Sequence, residues 1–327
     1  MFRALLSALA ATTALTVVGA VLVPAPAADD EGGPTVRVSA TTAVLGTPIH
    51  VSGKAPSLRR VVLQLETDQN GWQTVAGAHT GVGGGYSFRA PDWVGTHRLR
   101  VVVPATAVFA QQVSRTVSVR VRVPYRPKGS RSDWAWISDP GARWNPCRTI
   151  TYRINPRGGY PQSVTDLRRT FAAVGKVTGF EFRYVGRTGA RVRWNSYDYF
   201  PRGTDIVVDW QSPAQTPRLA NRVAGIGGHW VLGKRRFDGY VVLDQTERLS
   251  REVWRQVMSH ELGHVLGLGH ASSRTQLMFG TSTQHNRLWG HGDLTALDRI
   301  GASQGCLRGK STKRSVTGTG PVPVFDR

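Results

Sequence analysis

The most constraining feature of this sequence is a run of eleven residues, His260-Glu261-Leu262-Gly263-His264-Val265-Leu266-Gly267-Leu268-Gly269-His270. On an α-helix, His260 and His264 lie about 40° apart on one face. His270 would be turned roughly 240° from His264 if the helix continued, so the chain has to leave the helix and turn back. Gly267 has no Cβ and can adopt the left-handed conformation that ends helices. The run therefore predicts a helix that breaks at Gly267 and three imidazoles that converge.

Three neutral imidazoles with an open fourth position are the donor set of a catalytic zinc ion. We expect one Zn²⁺, held by His260, His264 and His270. Glu261 lies about 100° from His260 on the helix, beside the ion but not in a natural ligand position. It is predicted to be the general base that takes a proton from the attacking water, which indicates peptide hydrolysis. The alternative is that these histidines only satisfy hydrogen bonds within a buried helix.

The first 28 residues have the pattern of a secretory signal peptide: Arg3, an apolar run over 4–23, and Ala25-Pro26-Ala27. A signal anchor is the alternative, because the apolar run approaches the length that spans a bilayer. We expect a secreted protein, extracellular or associated with the cell wall. Because an exported chain meets oxidising conditions, Cys147 and Cys306 are predicted to form a disulfide, with two free buried thiols as the alternative.

Residues 29–124 alternate apolar and polar side chains in short runs separated by turn signals, which predicts an all-β sandwich. The segments "GGGYSFRAP" and "RLRVVVPAT" resemble the small immunoglobulin-like repeats attached to secreted bacterial enzymes. This part of the chain has no cluster of acid, histidine and nucleophile. Residues 125–132 have the proline, glycine and charge content of a linker.

Residues 133–309 mix strand and helix periodicities, which indicates an α+β domain. Residues 310–327 are rich in glycine, serine, threonine and proline and are expected to be a disordered tail. The expected elements of the domain are strands over 149–155, 180–184, 205–210 and 240–244, helices over 163–177 and 293–300, and a helix that follows a Ser250 cap.

The histidine run and the following Leu277-Met278-Phe279-Gly280 resemble the metzincin zinc metalloproteases. "RWNPCRTITYRIN" and "GTDIVVDW" extend the resemblance to the secreted bacterial matrixin-like peptidases, over most of residues 133–305. The resemblance implies a metalloendopeptidase with a mixed twisted sheet and a long active-site helix. It also makes Met278 the Met-turn residue beneath the metal and Asp293 a support of that turn. In the family an edge strand pairs with extended substrate, and the resemblance implies that residues 223–228 form that strand.

The sequence departs from the matrixin pattern in several places. Ala271 stands where matrixins usually carry serine, and no cysteine-switch sequence precedes the domain. His229, Asp205 and Asp209 are too scattered to predict the structural zinc site of matrix metalloproteinases. A structural calcium ion is compatible with the sequence, but no site for one can be read from it. His285 and His291 are expected either in exposed loops or in a substrate pocket.

The chain carries 42 Lys and Arg against 21 Asp and Glu, a formal net charge of +21. Such a surface attracts polyanions, and for an exported protein the expected partner is an anionic cell envelope. No motif for specific nucleic-acid binding accompanies the charge, and we expect a monomer. Two alternatives to a general endopeptidase remain open. One is a cationic surface-binding protein whose β domain carries the function, and the other is a zinc peptidase restricted to cell-wall peptides.

Overall fold

Strands with alternating burial form the first part of the molecule. A computed structural model describes residues 33–138, 140–193 and 199–307, so the predicted leader and the predicted tail from residue 310 lie outside the described residues. Residues 33–123, here called the β region, contain β1 (Arg37–Val38), β2 (Thr42–Val44), β3 (His50–Lys54), β4 (Arg60–Thr67), β5 (Gly71–His79), β6 (Gly85–Arg89), β7 (Gly95–Val103), β8 (Gln112–Val113) and β9 (Val117–Arg122).

The strands of the β region form two sheets that share one apolar core. One sheet has the order β1-β3-β6, and the other has the order β2-β9-β7-β4-β5, with β8 paired to β7. In β9, buried and exposed residues alternate strictly, as the period of two predicts for a strand that covers a core. Val51 and Phe88 from the first sheet pack with Leu63, Leu99 and Val119 from the second.

Residues 133–307, here called the α/β region, are built on a five-stranded sheet of order β12-β11-β13-β15-β14. Its strands are parallel except β14, which is antiparallel to β15 and lies at the edge. The elements of this region are β10 (Ala135–Trp136), β11 (Ile150–Ile154), α1 (Ser163–Thr178), β12 (Phe182–Arg187), β13 (Ile206–Gln211), a 3₁₀ turn (Pro217–Leu219), β14 (Gly225–Leu232), β15 (Arg235–Asp244), α2 (Arg251–Leu266), β16 (Leu268–Gly269), α3 (His291–Asp298) and a 3₁₀ turn (Ala302–Gln304).

The two long helices cover one face of this sheet. Ile206 and Val208 of β13 belong to the core that α1 and α2 share, whereas the alternate residue Val207 faces a smaller cluster on the other side. The Ser250 side chain accepts a hydrogen bond from the backbone N–H of Val253 and so caps α2. The site-bearing helix is thus fixed against the sheet along its length.

The segment 125–132 is packed against the α/β region. The Tyr125 hydroxyl donates to the carbonyl of Trp289 at 3.1 Å, and the backbone N–H of His291 donates to the carbonyl of Lys128 at 2.8 Å. Residues 33–307 fall within one compact unit. No helix in the described ranges has the length and apolar character needed to cross a membrane.

The disulfide predicted from the two cysteines is confirmed. Cys147 and Cys306 are bonded, with their Cα atoms 5.3 Å apart and a sequence separation of 159. The bond ties the loop before β11 to the segment that follows the last 3₁₀ turn. It closes most of the α/β region into one covalent loop, which restricts the unfolded chain.

Several element boundaries differ from those expected. β15 begins at Arg235 rather than near residue 240, because it forms a hairpin with β14 through Gly233, whose φ is 57°. The last helix spans His291–Asp298 instead of 293–300. β16, which begins immediately after the helix break, pairs with β10, and both strands are too short to show an alternation in the sequence.

Candidate metal centre

Three imidazoles converge at the end of α2. His260 Nε2 lies 2.9 Å from His264 Nε2 and 3.3 Å from His270 Nε2. One ring nitrogen from each of the three lies within 4.8 Å of the other two, and no other group of three or more His, Cys, Asp or Glu side chains among the described residues is placed to hold a metal ion. Two nitrogens bound tetrahedrally to zinc at about 2.05 Å would be roughly 3.3 Å apart, so the spacing fits that ion.

The Nδ1 hydrogen bonds of His260 and His264 determine which ring nitrogen of each carries the proton. His260 Nδ1 lies 2.8 Å from the carbonyl of Leu277, and His264 Nδ1 lies 2.7 Å from the carbonyl of Leu268. Because a carbonyl only accepts, both Nδ1 atoms carry the proton, and in the neutral rings both Nε2 atoms present lone pairs. Lone pairs 2.9 Å apart repel unless a cation lies between them. The donor set therefore fits a resident metal ion.

Gly267 brings the third histidine to the other two. It ends α2 with a left-handed φ of 117°, and its N–H donates to the carbonyls of Gly263 and His264. A Cβ there would lie 2.5 Å from the guanidinium carbon of Arg236, so space as well as conformation favours glycine. The returning chain pairs Leu268 with Trp136, which leads it toward His270.

Glu261 lies between α2 and the edge strand β14. Its side chain is buried, and a Cβ on Gly225 would lie 2.8 Å from its Cγ. A Cβ on Gly227 would lie 2.1 Å from the backbone oxygen of Glu261. These two glycines therefore allow the strand to lie directly against the helix at the carboxylate. The sequence analysis did not identify them, although the repeated glycines in Gly225-Ile226-Gly227-Gly228 are a signal of close backbone approach.

A cavity of about 910 Å³ opens over the three imidazoles. Its walls are the start of β14 with the preceding loop, α2, and the segment that follows Met278. Arg218, Arg222 and Glu247 are charged residues of the lining. Neither His285 nor His291 is among the residues that line this cavity, so the structure gives neither of them a place in the pocket.

Met278 lies beneath the site, as packing. It is buried, and a Cβ on Gly263 would lie 2.3 Å from its sulfur, so the methionine fills the space that this helical glycine leaves. Asp293 accepts hydrogen bonds from the backbone N–H groups of Leu277 at 2.6 Å, Met278 at 3.2 Å and Gly290 at 2.8 Å. Burial raises the pKa of Asp293 to about 6. The carbonyl of Leu277, which this arrangement positions, is the one that orients His260.

A second buried layer supports the end of α2. His229 Nδ1 donates to the carbonyl of His264 at 3.0 Å, which leaves its Nε2 to accept from the guanidinium of Arg236. Burial, followed by the charge of Arg236, holds the pKa of His229 well below its ordinary value. Asp205 and Asp209 bond elsewhere, to Thr151 and to Asn155 and Gln211. His229 is thus a support of the helix end, a role that sequence reasoning missed because its partner, Arg236, gives no motif.

One family comparison bears on the region that carries this centre. Residues 143–300, just under half of the chain, match the matrixin peptidase family. The match contains His260, His264, His270, Glu261 and Met278. The match supports a metzincin-like zinc metalloendopeptidase in this region. Matrixin peptidases use zinc, and the mixed sheet with few helices is consistent with the metzincin-like fold implied by the sequence resemblance.

The remaining comparisons add no information on the matrixin domain. No curated protein matches the chain. One solved structure that matches is described as the structural basis of T cell specificity and activation by the bacterial superantigen toxic shock syndrome toxin-1. That match has 8% identity and a TM-score of 0.22, and covers 28% of this chain and 100% of the other. A TM-score this low carries no argument about fold or function.

Proposed function

We propose that this protein is a secreted zinc-dependent endopeptidase in which His260, His264 and His270 hold the ion and Glu261 is the general base. The observation that carries the proposal is the convergence of one ring nitrogen from each of the three histidines within 4.8 Å, at a cavity that Glu261 also lines. Three protein ligands leave one position for water or substrate, as in catalytic rather than structural zinc sites.

Bound zinc supplies a Lewis acid that lowers the pKa of a water molecule and polarises the scissile carbonyl. Glu261 takes the proton from the attacking water and delivers it to the leaving amine. Its carboxylate is buried between α2 and β14, which orients it toward the cavity and limits access of bulk water. Leu277 and Leu268 orient the rings of His260 and His264 through their carbonyls.

The substrate is proposed to bind as an added strand. β14 lies at the edge of the sheet, and Gly225, Ile226 and Gly227 of this strand line the cavity. An extended peptide that pairs with this edge would run along the cavity past the histidines, with its main chain held by backbone hydrogen bonds. Such pairing is largely independent of side-chain identity, which favours an endopeptidase over a carrier of one small ligand.

Export is supported by the leader pattern of the sequence and by the disulfide. A bond between Cys147 and Cys306 persists in oxidising compartments and is rare in reducing ones. We therefore place the mature protein outside the cell or at the cell wall, where its formal net charge of +21 attracts an anionic envelope. An immunoglobulin-like β domain and a monomeric state remain part of this proposal.

The test is Glu261→Gln, which keeps the size of the side chain and removes its basicity. General-base contributions are about 10²–10⁴-fold, so cleavage of a peptide library should fall by at least about 100-fold while one zinc per chain is retained. Glu252→Gln is the matched control, since Glu252 lies on the same helix but is exposed and paired with Arg287. Undiminished cleavage in Glu261→Gln would refute Glu261 as the base.

A further inference from the structure

The two ends of the β region differ in character. Strand register brings three loops together at one end, because Lys54 pairs with Gly85, Arg60 with His79, and Val62 with Val102. These loops, 55–59, 80–84 and 104–111, are called the tip loops. They connect β3 to β4, β5 to β6 and β7 to β8.

The opposite end of the β region contacts the α/β region. The Asn70 amide donates to the carbonyl of Cys306 at 2.7 Å, and the backbone N–H of Val94 donates to the carbonyl of Lys176 at 3.2 Å. The Trp93 ring lies 2.7 Å from the position that a Cβ on Gly179 would take. The tip loops therefore point away from the region that carries the histidines.

The tip loops hold the most exposed large apolar side chains of the described chain. Val82 is 82% exposed, Val108 is 80%, Leu58 is 70% and Phe109 is 58%, and no other large apolar side chain in the described ranges exceeds these values. Scattered surface apolar residues are ordinary. Four on three adjacent loops form a concentrated patch, and such patches mark interaction sites.

Internal hydrogen bonds hold these side chains outward. The Ser57 hydroxyl donates to the carbonyl of Val82 at 2.6 Å, which joins two of the loops. The backbone N–H of Thr106 donates to the carbonyl of Phe109 at 2.9 Å, which closes the third loop into a turn. Leu58 has a φ of 54°, a left-handed conformation that is unfavourable for leucine. A leucine in this conformation is a backbone outlier, and such outliers are found at functional sites.

The base of the patch is basic. The sequence of the three loops and their flanking residues, 54–60, 79–85 and 103–115, includes Lys54, Arg59, Arg60 and Arg115 and no acidic residue. The Arg59 guanidinium lies 4.5 Å from the centre of the Phe109 ring and donates to the carbonyl of Pro104 at 3.4 Å. Positive charge thus lies directly behind the apolar tip.

We propose that the tip loops dock the protein on an anionic lipid bilayer. Leu58, Val82, Val108 and Phe109 enter the boundary between headgroups and acyl chains, and the basic residues behind them face lipid phosphates. Separate protruding side chains fit a fluid bilayer, which moulds around them, whereas a protein partner would need a matching set of pockets. Docked in this way, the histidine site at the far side of the molecule stays in the aqueous phase. The inference does not depend on the proposed peptidase activity.

The test is cosedimentation of the secreted chain with vesicles of equal parts phosphatidylglycerol and phosphatidylcholine, against vesicles of phosphatidylcholine alone. The wild-type protein should partition to the anionic vesicles and lose partitioning as salt rises. The double variant Val108→Ser, Phe109→Ser should bind at least tenfold more weakly while its peptide cleavage stays unchanged. Leu232→Ser is the matched control, because Leu232 is an exposed leucine on the α/β region.

A second measurement separates insertion from purely electrostatic contact. A polarity-sensitive dye on Val108→Cys should shift to the blue when anionic vesicles are added, and the same dye on Leu232→Cys should not. The proposal is overturned if the wild type binds neither vesicle at low salt, if the double variant binds as well as the wild type, or if the two dye positions respond alike. Loss of a protein partner in the double variant, without loss of vesicle binding, would likewise replace the bilayer with a protein as the occupant.

Discussion

The β region and the α/β region bury different kinds of side chain. Among the described residues the β region buries only four polar ones: Thr67, Thr80, His97 and Ser114. The α/β region buries full charges and amides, including Asp166, Asp209, Arg236, Glu261, Gln276 and Asp293. A simple apolar pattern is enough to specify two packed sheets. The α/β region adds a network of polar contacts around α2, because the orientation of its imidazoles has to be fixed.

The close approach of β14 to the backbone of α2 offers the largest test of this difference. Gly227→Ala places a Cβ 2.1 Å from the backbone oxygen of Glu261, so β14 or α2 has to move. We expect a loss of about 3 kcal/mol of unfolding free energy and about a tenfold loss of cleavage. Gly77→Ala in β5 is the matched change, since a Cβ there meets nothing nearer than 3.9 Å. Denaturant unfolding should show a clearly lower stability for Gly227→Ala than for Gly77→Ala. Equal stabilities of the two variants would contradict the difference between the two regions.

Loss of a buried acceptor is the next test. Asp293→Ala leaves the backbone N–H groups of Leu277, Met278 and Gly290 without their present acceptor. At about 1 kcal/mol for each group, the expected cost is roughly 3 kcal/mol, with weaker zinc retention because the Leu277 carbonyl orients His260. Ser114→Ala in the β region also removes an acceptor, that of Val101 N–H, and should cost about 1 kcal/mol with zinc content unchanged.

The contact between α1 and α2 gives a smaller, pH-dependent effect. Asp166 accepts from Arg251 at 2.5 and 2.8 Å and from the Tyr160 hydroxyl at 2.9 Å. Burial raises the pKa of Asp166, but these hydrogen bonds and the charges of Arg251 and Arg255 outweigh it and lower the pKa overall. The Arg251 side chain is 42% exposed, so solvent screens the pair and we expect Asp166→Asn to cost about 2 kcal/mol.

The sign of the pH dependence follows from the lowered pKa. A carboxyl that is more acidic when folded binds fewer protons in the native state, so its contribution is present above about pH 4 and disappears as pH falls below that value. Thermal unfolding between pH 6 and pH 3 should therefore show a steeper decline for the wild type than for Asp166→Asn. Parallel curves would show that Asp166 does not contribute through its charge.

Much of the α/β region was predictable because its signals are local. The histidine spacing and Gly267 together predicted a helix break, and the structure has a left-handed glycine at that position. Strands such as β13 follow from runs of β-branched residues, and the disulfide follows from a lone cysteine pair in a chain expected to be exported. Each of these depends on residues that are neighbours in sequence or unique in the chain.

The supporting contacts join distant positions, so residue patterns alone did not predict them, and the support of the Met-turn by Asp293 was expected only from the family resemblance. His229 meets the carbonyl of His264 across 35 residues, and Asp293 reaches Leu277 across 16. Nothing local distinguishes Arg236 from the many arginines that make up the charge of +21. The tip loops were also missed, since single apolar residues such as Leu58 and Val82 become a patch only when strand register brings their loops together.

The central claim is that one ion is held by three imidazoles with a fourth position left to water or substrate. X-ray absorption at the zinc edge of the purified protein tests it directly. One zinc per chain with three nitrogen ligands at about 2.0–2.1 Å, assignable to imidazole, and one light-atom ligand of solvent origin is the expected result. A protein without tightly held metal under any loading, or a zinc ion closed by four protein ligands, would contradict the claim.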